Sequence, residues 1–294
     1  MPILFGNKFT IWAFRNYFLT TAVGICVRFR RKTMKIRYIG TCSGTEPMEG
    51  MHHTSLAIEC GDSLYWFDAG EGCAHSAYTS GTEVMNSRAI FVSHPHIDHI
   101  GGLANLLSLF GKLIRRYGLR LAHNNEVKVF FPGLELFGAV KSVAFGNCPG
   151  GTKSFTITEE EMRDGVIYED GNIRVTALHN RHLNEDGTKG WHSYSFLIEA
   201  EGKRVVFSGD VKEPSELDTL LSGGCDLLIH ETGHHAVDDI CAFADRHKVG
   251  ALRFVHHGRD IIEHREACEG RVAHFAEKSG ISMRICSDGD SENI

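Results

Sequence analysis

None of the nine cysteines stands in a CxxC pair, and their odd number and scatter leave neither a disulfide framework nor a zinc ribbon to build on. A reducing, cytoplasmic setting follows. Residues 34–294 contain no linker, internal repeat or low-complexity stretch, which predicts a single domain there. Residues 1–33 lack Asp and Glu altogether and carry Lys8, Arg15, Arg28, Arg30, Arg31 and Lys32, a charge of +6. The remainder sets 25 basic residues against 37 acidic ones and stands at −12, so the overall −6 hides two pieces with different physics. Such a balance argues against a generic nucleic-acid coat or a polybasic membrane binder.

What is present is a globular composition: 294 residues, 42% hydrophobic and 23% charged, with histidine, at 18, the outlier. Residues 9–27 form an apolar stretch interrupted by Arg15 and followed by a basic run. Three readings are open: a marginal membrane span with its charges on the cytoplasmic side, a transit-like leader, or an extension outside the fold. Membrane contact rests on residues 1–33 alone. The first strand begins after Met34, so the domain is placed at 34–294.

From there KIRYIG (35–40), TSLAIEC (54–60), SLYWFDAG (63–70), RAIFVS (88–93) and EVKVFF (126–131) read as strands. Helices are expected over 71–80, 103–118 and 134–145, the second with basic residues at its C-terminal end. The stretch 154–210 reads mostly as hairpins, with Asp170-Gly171 and Glu201-Gly202 as turns. Helices at 214–222, 236–248 and 260–279 then alternate with strands at 226–230, 251–256 and 281–286. Strands with helices in both halves imply two sheets packed face to face beneath outer helices.

The chemistry concentrates in His94-Pro-His96-Ile-Asp98-His99, an HxHxDH pattern directly after a strand. Three imidazoles and a carboxylate within six residues supply nitrogen and oxygen ligands suited to Zn²⁺, with Mn or Fe as alternatives. Alternate side chains share one side of the turn, so one segment can serve two metals. His179, Asp210 and His256 each close a run that reads as a buried strand, and strand ends converge on one sheet edge. The expected grouping is His94, His96 and His179 on one metal, Asp98, His99 and His256 on the other, and Asp210 between them. The metals would lie about 3.5–4 Å apart and share a hydroxide as nucleophile.

HPHIDH, together with FDAGEG (67–72), His179, SGD (208–210), DLLIHET (226–232) and the late VHH, resembles the metallo-β-lactamase superfamily, and within it the ribonuclease Z-like branch. The resemblance runs from Lys35 onward and keeps the motifs in order. It implies an α/β fold, the αββα four-layer sandwich, with a di-zinc site at one edge and a homodimer. It also implies Asp98, His230 and Glu231 as catalytic residues, His230 protonating the departing alkoxide with Glu231 orienting it, and Asp68 orienting a ligand. His256 rather than His257 falls in the family's register. His182, His234 and His235 fit no ligand slot and read as rim or surface; His52 and His53 lie in a loop that could reach the site mouth.

Two departures bear on substrate. Ribonuclease Z-like enzymes that mature tRNA usually carry a long arm between the ligands matched here by His179 and Asp210; in this chain that interval is 31 residues, reading as a turn and a hairpin. The early loop, SGTEPMEGMHHTS, holds two glutamates and no Lys or Arg, and the basic cluster of Lys112, Arg115, Arg116 and Arg120 reads as a solvated helix face. These features weigh against tRNA. The expected function is a metal-dependent phosphodiesterase acting on a small molecule or an RNA end. The alternatives are a thioester or lactone hydrolase with the same di-metal site, and a non-enzymatic metal-stabilised binding module.

Overall fold

The computed structural model describes residues 33–146, 154–183 and 190–294. The expectation for the N-terminal extension falls outside the described residues, apart from Thr33. In chain order the strands are β1 (Lys35–Gly40), β2 (Ser55–Cys60), β3 (Ser63–Phe67), β4 (Ser87–Phe91), β5 (Glu126–Phe131), β6 (Thr156–Glu161), β7 (Gly165–Glu169), β8 (Arg174–His179), β9 (Tyr194–Ala200), β10 (Lys203–Phe207), β11 (Leu227–Glu231), β12 (Ala251–Val255), β13 (Ser282–Ile285) and β14 (Ser291–Asn293). The helices are α1 (Cys73–Thr79), α2 (Ile97–Ile100), α3 (Leu103–Tyr117), α4 (Leu134–Phe145), α5 (Asp218–Leu221), α6 (Val237–His247) and α7 (Arg259–Ser279). None of these helices is long and apolar enough to cross a membrane.

The strands form two seven-stranded sheets, ordered β14-β1-β2-β3-β4-β5-β6 and β13-β12-β11-β10-β9-β8-β7. Each is mixed. In the first, β3 to β6 run parallel while β1 pairs antiparallel with both β2 and β14. In the second, β10 to β13 run parallel and β7 to β10 antiparallel. Parallel strands buried on both faces read as continuous apolar runs, and β4 shows how one such run is divided. Ala89 and Phe91 enter the core between the sheets, while Ile90 and Val92 enter the layer under the first set of helices. Phe91 stacks on Phe67 and Phe130, and Phe196 and Phe207 meet the cluster from the opposite sheet. A third apolar layer lies under α5, α6 and α7, giving the four-layer αββα sandwich.

α3 follows its sequence pattern closely. Leu103, Leu106, Leu107, Phe110 and Leu113 are buried at helical spacing, Arg115 and Arg116 occupy the last turn, and Gly118 ends it in a left-handed conformation (φ 67°). Two local expectations are corrected. β6 is not half of a hairpin but an edge strand parallel to β5, its three consecutive glutamates protecting that edge. The stretch 214–222 is a 3₁₀ turn, Pro214–Leu217, running into the short α5. The hairpin between β9 and β10 turns at Glu201-Gly202, both with positive φ, as its sequence predicts.

The two sheets are tied at one side by Glu292 of β14, which takes a two-pronged ion pair from Arg253 of β12 (Nε–Oε1 2.9 Å, Nη2–Oε2 2.8 Å) and a hydrogen bond from Tyr38 (2.7 Å). At another, Asp170 accepts hydrogen bonds from Tyr65 and Tyr168 (both 2.7 Å) and pairs with Arg88 (2.9 Å).

Candidate metal centre

Loops leaving the C-terminal ends of β4, β8, β10, β11 and β12 gather histidines and carboxylates at one edge of the sandwich. After β4, His94 stays buried; the single turn of α2 then buries Asp98 and His99 and leaves Ile97 71% exposed. Asp210 follows β10 and is buried. His256 follows β12 with φ 49°, a left-handed conformation rare outside glycine that turns its ring out of the strand direction.

Asp210 sits between two sets of donors. One contains His94, His96 and His182: Asp210 Oδ2 lies 3.7 Å from both His94 Nε2 and His182 Nε2, and His96 Nδ1 lies 3.0 Å from His94 and 3.3 Å from His182. The other contains Asp98, His99 and His256. His256 Nε2 is 3.1 Å from Asp98 and 3.3 Å from Asp210, and His99 Nε2 is 3.4 Å from each carboxylate. Within each set the donor atoms lie within 4.8 Å of one another.

Asp68 stands behind this cluster. It is fully buried and accepts hydrogen bonds from the Ser93 amide (2.6 Å), the Ser93 hydroxyl (2.8 Å) and His99 Nδ1 (2.7 Å). His99 thereby turns its Nε2 toward Asp210. Above the cluster runs the loop after β1. A Cβ at Gly44 in that loop would lie 3.0 Å from the Asp98 carboxylate, and one at Gly233, after β11, would lie 2.5 Å from His256, so backbone roofs the site too closely for a side chain at either position. Asp288 pins that loop: it accepts from the Thr41 amide (2.9 Å) and hydroxyl (2.8 Å) and from the His52 amide (2.6 Å), and its Oδ2 lies 3.0 Å from His52 Nδ1.

The residues present fit a pair of divalent cations. Among the described residues, His99 Nε2 and Asp210 Oδ1 are buried without a hydrogen-bond partner, both facing the centre of the cluster. Burial, then the charge of His99, hold His94 well below the ordinary histidine value, and burial takes His182 to about 4 against the pull of Asp210. His256 goes the other way, to about 9: burial opposes the proton, but Asp210, Asp98 and Glu231 outweigh it. His99 is raised by Asp210 and Asp68 in the same way, against its burial. Cations would occupy the positions where these protons are otherwise held.

The structure corrects two residues expected in the site. His179 is not in the cluster: it ends β8 stacked on Trp191 (centroids 3.9 Å apart) and bonded to Asp164 (2.5 Å), and His182, expected at the rim, takes the place beside His94 and His96. His230 is fully buried with its ring toward the helical layer, 6.4 Å from Phe243, its Nδ1 bonded to the Glu231 carbonyl (2.7 Å). Burial takes its pKa down to about 4, and its Nδ1 proton is committed to the Glu231 carbonyl rather than to the site. Its neighbour Glu231 faces the site instead, accepting from the His234 amide (2.9 Å) and lying 3.1 Å from His234 Nδ1. That bond raises the pKa of His234, which lies 3.9 Å from Asp210. His257 bonds the Cys286 carbonyl (2.8 Å) and lies outside the cluster; His235 bonds the Val211 carbonyl (2.9 Å).

Two mixed sheets with outer helices and a histidine–aspartate cluster at one edge define the metallo-β-lactamase fold, and similarity to curated proteins named Ribonuclease Z supports its ribonuclease Z-like branch. The chain is similar to a protein named Ribonuclease Z from Methanothermobacter thermautotrophicus, 28% identical over 241 residues that cover 68% of this chain and 74% of the relative. A family model described as Anti-Pycsar protein Apyc1 matches residues 34–246, and the chain belongs to that family. Its fold is similar to the metallo-β-lactamase fold protein YhfI from Bacillus subtilis (TM-score 0.66, 17% identity, 89% of this chain and 100% of that one). It is also similar to the short form of human tRNase Z (TM-score 0.62, 17% identity, 88% and 98%).

Proposed function

We propose that this chain is a metal-dependent phosphodiesterase of the ribonuclease Z-like type, with residues 34–294 as the catalytic domain and a small phosphodiester such as a cyclic nucleotide as substrate. The observation that carries this reading is Asp210 held between two His/Asp donor sets, with the Glu231–His234 pair at their edge. In this assignment His94, His96 and His182 would hold one cation and Asp98, His99 and His256 the other, with Asp210 available to both sets; the nitrogen-rich set favours zinc. Two such ions neutralise charge building on a phosphoryl group and supply a nucleophile from water near neutral pH.

The chain's own residues do the rest. Asp68 fixes the ring of His99, and Asp98 offers an acceptor for the nucleophile's proton. His234, oriented by Glu231, whose carboxylate favours its protonated form, is the group assigned here to protonate a departing alkoxide. This gives Glu231 the orienting role expected of it and moves the acid from His230 to His234. A small substrate is favoured by the short β9–β10 hairpin, which occupies the interval where an arm would emerge, and by an acidic domain. An RNA end is the second reading, favoured by relatives named Ribonuclease Z.

The test compares leaving groups. The protein loaded with Zn²⁺ or Mn²⁺ is assayed on bis(p-nitrophenyl) phosphate, cyclic nucleotides, 3′-extended tRNA and a thioester. His234→Ala is expected to lower kcat about 10²-fold or more on esters that lose an alkoxide and far less on the nitrophenyl ester, whose leaving group needs no proton. Wild-type protein that cleaves the thioester but no phosphodiester sinks the proposal.

A further inference from the structure

His182 joins the donor cluster from beyond the end of the β8–β9 pairing, whose last registered pair is His179 with Tyr194. One more backbone bond, from the Asn180 amide to the Ser193 carbonyl (2.9 Å), follows that pair. The place of His182 beside His94 and His96 therefore depends on how the chain is held just past the strand. Two further amides are held there: that of Arg181 donates to the Glu216 carboxylate (2.9 Å), and that of His182 to Asn180 Oδ1 (3.1 Å). The second is the local turn an asparagine side chain makes with the backbone two residues on.

Unlike most turn asparagines, Asn180 is buried, and so are Ser193, Ser195 and Ser208. Its amide group has one consistent orientation. The His182 N–H can only donate, so Oδ1 faces it and Nδ2 donates to Ser195 Oγ (3.1 Å). Ser195 Oγ, accepting there, gives its own proton to the Ser208 carbonyl (2.6 Å), and Ser208 Oγ accepts from the Glu231 amide (3.0 Å). This row runs from the loop of His182 across β9 to the residue after β10, two positions before Asp210, and on to β11.

We infer that Asn180 is a positioning residue for the candidate metal centre: its side chain fixes His182 relative to Asp210, an inference that rests on the two-cation assignment in the phosphodiesterase reading. Asparagine suits the task because one end must accept and the other donate. Aspartate would bury a charge and offer Ser195 only an acceptor; alanine would leave the His182 amide and Ser195 Oγ each short of a partner. Both polar ends of Asn180 are taken, so it acts on a cation only through the imidazole it places.

The full chain is titrated with Zn²⁺ against a chromophoric chelator, and the metal-free chain is unfolded in urea. Wild type is expected to show two sites. Asn180→Ala weakens the site containing His182 about 10–100-fold, the scale for a group that orients a ligand, and the site containing His99 far less. Ser195→Ala keeps the acceptor for the His182 amide but leaves the Asn180 amide group unfixed; it weakens the same site by a smaller factor, and it carries the test if Asn180→Ala does not fold. A loss concentrated at the His182 site supports the role. Equal losses at both sites, or a lower urea midpoint with both affinities intact, overturn it. Wild-type protein that binds fewer than two ions overturns the cation assignment and the role of Asn180 with it. No turnover enters these readouts, so a failure of the phosphodiesterase reading is seen separately, in the ester assays.

Discussion

Replacing Asp68 by asparagine keeps the shape of the side chain and removes its charge. It also keeps the backbone, because Asp68 has φ 61° and asparagine tolerates that region nearly as well. Three donors converge on the two carboxylate oxygens: the Ser93 amide on one, the Ser93 hydroxyl and His99 Nδ1 on the other. An amide can match only one side. If its NH₂ faces the Ser93 amide, two donors oppose each other in a fully buried site. If it faces His99, the imidazole must give up its Nδ1 proton and carry it on Nε2, the atom aimed at Asp210. Losing one charge-assisted bond costs about 1.5–3 kcal/mol. Since this bond sets the ring's tautomer, the loss falls mainly on cation affinity, about 10–100-fold. Competition with a chromophoric chelator should resolve two sites in the wild type. In D68N the site containing His99 should weaken most, and the His94 site less, since Ser93 Oγ also lies 3.0 Å from His94 Nδ1. Unchanged affinity at both sites would refute the reasoning.

Two further outcomes follow from the geometry. His182→Ala should lose one of two bound ions by elemental analysis, or bind it at least ~100-fold more weakly, whereas His179→Ala keeps both and loses only about 1 kcal/mol of stability through its contact with Trp191. Asp170→Asn should destabilise the fold by about 1–3 kcal/mol near neutral pH. Burial pushes the Asp170 carboxyl up, but its bonds from the Ile173 amide, Tyr168, the Asn172 amide and Tyr65 outweigh that and hold it below the usual value. Its contribution is therefore complete above the ordinary aspartate range and is lost as pH falls through the lower folded-state value. Urea unfolding of both proteins at about pH 7 and about pH 3 should show the gap narrowing; a gap that widens on acidification contradicts the assignment.

The sequence pattern located much of this molecule and missed it in places that share a cause. β1, β5, α3 and the HPHIDH segment follow from periodicity and punctuation, because one face of each is apolar and their ends are marked. The same patterns cannot say where a side chain goes when both faces are buried. In β11, Leu227 and Ile229 enter the core between the sheets and Leu228 the helical layer, so alternation sends His230 outward and Glu231 to the site. Nothing in DLLIHE marks one face as polar, and the two residues are easily exchanged. His179 misled for a related reason: a strand-end histidine fits the family's register, yet the histidine that joins the donor cluster comes three residues later, in the loop, where periodicity carries no information. β14, three residues long, gives no pattern at all, and its role appears only through Glu292 and Arg253.

Asp288 lies far along the chain from the loop it anchors, and His256 and Asp210 are likewise distant from His94. During synthesis the histidine-rich turn leaves the ribosome long before those partners exist, and a cation met at that moment finds an incomplete set of donors under an untethered roof. The complete donor set under its anchored loop therefore exists only once the segment bearing Asp288 has emerged, so any metal capture that needs the whole of it would come late in the life of the nascent chain.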